Sequence, residues 1–166
     1  MADGLDNLIG ESTARVMVGG KEYTVSKGWL SDHAEKESYI NAMKPSLSSM
    51  LSQIPSDLPP AQVESMQKIL VDKASKSAFA TNDEENEFNT SPHGIAWVAW
   101  RALRDGHEEF GKGGDQVYKA PNGNWYSLTP EQGVQRCLTL IERYSDDMEA
   151  FMAALAWSEE RDILPN

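Results

Sequence analysis

The sequence predicts a mainly α-helical protein with two short β-hairpins, an α+β fold built on a compact helical body. Three observations point there. Apolar residues recur at helical spacing through most of the chain, and two glycine-containing turns each separate a pair of β-prone runs. At 166 residues the chain is also long enough to bury a core without disulfides or metal. Residues 1–13 read as a flexible leader, 14–157 as a single mainly helical domain, and 158–166 as a polar tail.

The first hairpin is expected near residues 14–26. Ala14 to Val18 and Lys21 to Val25 flank Gly19-Gly20, and paired glycines supply the positive φ angles that a two-residue hairpin turn requires. Ser31-Asp32 then reads as the N-cap of a helix reaching about Met43, stopped by Lys44-Pro45, with Tyr39, Ile40 and Met43 apolar near its end. Leu47, Met50, Leu51 and Ile54 share one face of a short helix. Pro59-Pro60 opens the next helix, where a first-turn proline gives up no intrahelical bond, and Val63, Met66, Leu70 and Ala74 form its inward stripe.

The acidic stretch 81–89 lacks a calcium loop's spacing: counted from Asp83, the glycine position holds Phe88 and the glutamate position Ile95. It reads as an exposed helix start or linker. From Ser91 to Arg104 follows a segment that is apolar nearly all round, the mark of a helix buried centrally or seated in an interface. Asp105-Gly106 ends it. A second hairpin near 116–128 turns at Pro121-Asn122-Gly123-Asn124. Thr129-Pro130-Glu131-Gln132 starts a helix through Tyr144 with Val134, Cys137, Leu138 and Ile141 inward. Ser145-Asp146-Asp147 caps a last helix whose expected stripe is Met148, Phe151, Met152 and Leu155.

Charge narrows the partners. The net charge is −11, of which −9 falls in residues 81–166, and no basic stripe interrupts it. Such a surface repels nucleic acid and anionic membranes, so neither is an expected partner. The start of the chain lacks a basic segment followed by an apolar run, so no secretion signal is read and the cytoplasm is the expected compartment.

Chemistry is equally hard to place. Gly111-Lys112-Gly113-Gly114 has neither the phosphate-loop nor the dinucleotide spacing. Cys137 lies on an apolar stripe, and His33, His93 and His107 are scattered. No catalytic residue, metal ligand or cofactor-binding residue is assigned, and the chain is expected not to be an enzyme. The candidate functional residues are Trp97, Trp100, Arg101 and Arg104. Trp97 shares a sector with Arg101 and Arg104, where indole and guanidinium would meet as a cation–π pair on a protein-binding corner; a Trp97 covered by its own fold is the plainer reading.

A family pattern runs through these residues. The hairpin Val18-Gly19-Gly20-Lys21-Glu22-Tyr23-Thr24-Val25, the polar helices after it, and Ser91-Pro92-His93-Gly94-Ile95-Ala96-Trp97 leading into an Arg-containing helix that ends at Gly106-His107 resemble tail assembly chaperones of tailed bacteriophages. The likeness covers roughly residues 14–110; Glu108 stands where many members carry proline, and the second hairpin lies outside the pattern. The resemblance implies a virion morphogenesis factor of the host cytoplasm that binds the tape measure and tail-tube proteins during assembly. A structural virion component of the neck, connector or capsid is the alternative, followed by a small enzyme.

Overall fold

The structure, a computed structural model, describes residues 12–28, 30–76 and 80–160. The fold is mainly helical α+β: β1 (Thr13–Val18), β2 (Lys21–Ser26), α1 (Leu30–Met43), α2 (Leu47–Ser52), α3 (Pro60–Lys76), α4 (Asn82–Thr90), α5 (Pro92–Leu103), β3 (Tyr118–Lys119), β4 (Trp125–Tyr126), α6 (Pro130–Arg143) and α7 (Glu149–Glu159). Each strand pair is a separate antiparallel two-stranded sheet. Most of the expected leader, residues 1–11, lies outside the described residues, as do 161–166 of the expected tail.

The chain forms two units, one from residues 1–35 with 89–166, the other from 36–88. In the first, α5 is the central helix. It packs on β2, α6 and α7, which is why its sequence shows almost no polar side. The Ser91 hydroxyl caps it by accepting from the Gly94 N–H at 3.0 Å. Ala14, Val16 and Val18 of β1 alternate with exposed residues, and with Tyr23 and Val25 of β2 they give the hairpin one buried face. Gly19 and Gly20 both have positive φ, and a side chain at Gly19 would also strike the Tyr144 ring. The α5–α6 contact depends on Gly133, whose Cα faces the Trp100 indole so closely that a Cβ would overlap Nε1.

Four local expectations are corrected here. Asp32 belongs to the first turn of α1 rather than to its cap, and its carboxylate faces Arg101 of α5 and Arg104 at the C-cap of that helix. In α6 the buried residues are Gly133, Val134, Cys137 and Leu140, while Leu138 and Ile141 are only half-buried. In α7 the buried face is Phe151, Ala154, Leu155 and Ser158; Met152 is exposed, and Ser158, expected to begin a polar tail, is helical and buried. Asp147 does not cap α7 either, but accepts the Gly19 N–H at 3.2 Å.

The second unit holds the rest of α1 with α2, α3 and most of α4. Tyr39 and Ile40 are buried, and the Tyr39 ring meets Phe88 of α4 at 5.8 Å. Thr81 and Glu84 form a reciprocal cap at the start of α4, within the acidic stretch. Ser46 caps α2, which pairs with α3. No residue of α2, or of α3 from Pro60 to Ser75, is fully buried.

Candidate functional site

The four residues expected to form a binding corner are all interior: Trp97, Trp100, Arg101 and Arg104 are at most 2% exposed. That expectation is corrected. α5 is enclosed on several sides, so even its polar strip faces protein, and the arginines meet carboxylates and carbonyls instead of solvent.

Arg104 is the centre of the arrangement. Its two terminal nitrogens donate to Glu35 Oε1 and Oε2, each at 2.8 Å, a bidentate geometry that only a guanidinium offers a carboxylate. Asp32 Oδ1 lies 3.5 Å from Nη2. The guanidinium carbon sits 4.7 Å from the Trp100 ring centroid and 4.4 Å from that of Tyr126, so the cation–π partners are these two rings. Burial alone would lower the Arg104 pKa, but the hydrogen bonds and charge of Glu35 outweigh it and hold it above its ordinary value. Tyr118 donates its hydroxyl to Glu35 Oε1 at 2.7 Å; burial and this carboxylate push the phenol well above its usual range.

Arg101 joins other elements. Nη1 donates to the Ser26 carbonyl at 2.8 Å, and Nη2 to Ser158 Oγ at 2.9 Å and Glu159 Oε1 at 2.6 Å, while Nε lies 3.9 Å from Asp32. Together the two arginines connect β2, the first turn of α1, the second hairpin and α7. Every carboxylate in the cluster is matched by a guanidinium, which describes a polar core that fixes how elements meet.

The remaining reactive types are also accounted for. Cys137 is buried and its thiol is pushed up by burial, which leaves it a poor nucleophile. His107 accepts the Thr24 backbone N–H on Nε2 at 2.8 Å and packs against Tyr23 and Phe110. Burial holds its pKa below the ordinary value, so its neutral form belongs to the fold. The described residues contain no group of three His, Cys, Asp or Glu side chains able to hold a metal, and none of their helices is long and apolar enough to cross a membrane.

In the second unit, exposed apolar side chains gather on α3. The stripe expected to be inward on α3 is only partly so: Val63, Leu70 and Ala74 are half-buried and Met66 is exposed. Ile69, next to Met66 on one flank of the stripe, is 65% exposed, and Val71, on the opposite flank, 49%. On α2, Leu47, Met50 and Leu51 are half-buried. Helical periodicity located the stripe but carried no sign that its own fold leaves it open. No family model, curated protein or solved structure matches the chain.

Proposed function

We propose that this protein is a bacteriophage virion morphogenesis factor acting as a tail assembly chaperone, which holds tape measure and tail-tube proteins during assembly by burying apolar helix surface. The observation that supports the reading is the uncovered α2–α3 surface. A short helix and a 17-residue helix with no fully buried side chain from Pro60 to Ser75 have little packing to hold them, and helices in proteins draw most of their stability from such packing. A partner's amphipathic helix laid on Met66 and Ile69, which share one face of α3, supplies it. Among described side chains the stretch from Ser46 to Ser75 carries Asp57, Glu64 and Asp72 against Lys68 and Lys73, nearly neutral within a chain of net charge −11. The acidity elsewhere keeps a loaded complex soluble while this surface makes the contact.

The test is co-expression with the tape measure and tail-tube proteins of the same phage, with capture on a tagged copy of this chain. Capture of either protein by the wild type, and its loss in Met66→Glu and Ile69→Glu, is the expected outcome; both positions are exposed, so the fold tolerates the change. Equal capture by the variants contradicts the assignment of the surface. Electrophoresis of purified virions separates the chaperone, absent from mature particles, from a structural component present in fixed stoichiometry.

A further inference from the structure

The two edges of the first hairpin are treated differently by the rest of the fold. Val18 and Lys21 flank the two-residue turn and are therefore a hydrogen-bonded pair, and alternation makes Val16–Tyr23 and Ala14–Val25 such pairs as well. The Lys27 N–H donating to the Ser12 carbonyl at 2.9 Å keeps this phase. The backbone groups of Thr13, Arg15 and Met17 consequently point outward from β1, and those of Glu22, Thr24 and Ser26 outward from β2.

The β2 edge is capped by side chains at Thr24 and Ser26. His107 takes the outward Thr24 N–H and Arg101 donates to the outward Ser26 carbonyl, each at 2.8 Å. The β1 edge has no such cover: among the described residues none bonds the outward groups of Thr13, Arg15 or Met17. All three residues are exposed, Met17 at 53%. An open, partly apolar edge of this kind is a template for strand pairing.

We propose that β1 pairs antiparallel with β1 of a second copy, joining two hairpins into one four-stranded sheet of order β2-β1-β1-β2. The capped β2 edge is what selects a second copy. With one edge blocked and one open, pairing closes at two molecules and cannot propagate. The side chains choose the register. A two-fold axis at Arg15 would set Arg15 against itself, a like-charge pair. An axis at Val16 sets Arg15 opposite Met17 of the other copy, so that each Arg15 approaches the Met17–Glu22 cross-strand pair and opposite charges converge. In that register Arg15 and Met17 exchange both backbone bonds across the seam, twice over by symmetry.

Sedimentation equilibrium of the full chain over a wide concentration range, with two sets of variants, tests this. The wild type is expected to rise from 18.4 kDa toward twice that mass. Met17→Pro is expected to stay monomeric with an unchanged circular dichroism spectrum, because the lost N–H points away from β2 and proline is tolerated on an edge strand. The double substitution Arg15→Cys with Met17→Cys is expected to give disulfide-linked dimers under mild oxidation, whereas the wild type, whose only cysteine is buried, gives none. A wild type that stays monomeric with no cross-linking of the cysteine variant overturns the proposal. So does a dimer unaffected by Met17→Pro. Should Met17→Pro fail to fold, the presence or absence of the cysteine cross-link decides.

Discussion

Replacing Arg104 by alanine removes the cation that holds Glu35, Tyr118 and two aromatic rings in register. Glu35 is 3% exposed and would keep only the Tyr118 hydroxyl at that carboxylate, with Asp32 as a like-charged neighbour. Breaking a buried pair by removing one partner costs about 3–5 kcal/mol. For a chain of this length each kcal/mol moves Tm by roughly 2–4 °C, so the expected drop is on the order of 6–20 °C. Urea unfolding followed by tryptophan fluorescence reads the same loss as a lower midpoint at unchanged slope. Arg104→Lys is expected to recover only part of it, since an ammonium can neither bond both oxygens nor stack between Trp100 and Tyr126. The double variant Arg104→Met with Glu35→Leu is expected to lose much less than the sum of the two single losses, because it avoids the unpaired charge that each single variant leaves inside. A single-variant loss under about 1 kcal/mol, the range of surface ion pairs, would refute the reasoning.

Gly133→Ala is expected to cost about 1–3 kcal/mol through overpacking against the Trp100 indole, seen as a lower thermal midpoint. The Trp100 Nε1–H bond to the Phe110 carbonyl, 2.9 Å long, should be strained in that variant, shifting its tryptophan emission. His107 gives a pH dependence of definite sign. Its pKa in the fold lies below the unfolded value of about 6.5, so the neutral form contributes its full stability above that pH, and the contribution is lost as pH falls through the folded pKa. Glu109, Lys21, Lys112 and Tyr23 face it, and the wild-type minus His107→Ala difference in unfolding midpoint should shrink as pH falls from 7.5 to 5. Cys137 should be inert to thiol reagents in the native state and react only on unfolding.

Much of the architecture was legible because local chemistry and tertiary packing agree. The Gly19-Gly20 turn, the Thr129–Gln132 capping box and the enclosed α5 each follow from residues close in sequence. What failed was direction. The alternation of polar and apolar residues places Arg101 and Arg104 on one strip of α5, but whether that strip faces water depends on α1, distant in the chain. A signal was present: Asp32 and Glu35 repeat, on α1, the three-residue spacing of Arg101 and Arg104, as matched charges on facing helices do. The α7 stripe was misplaced for a related reason, since Met152 and Ser158 exchange their expected roles once Arg101 demands a polar partner. The open α2–α3 surface was illegible, because a periodic apolar stripe has the same spacing whether its own fold or another protein covers it.

Hydrogen–deuterium exchange across residues 46–75, with and without the co-expressed tape measure protein, tests the central claim most directly. The account predicts rapid exchange of α2 and α3 in the free chain and marked slowing in the complex, with α5 equally protected in both. Unchanged exchange over α2 and α3 in a verified complex would contradict it.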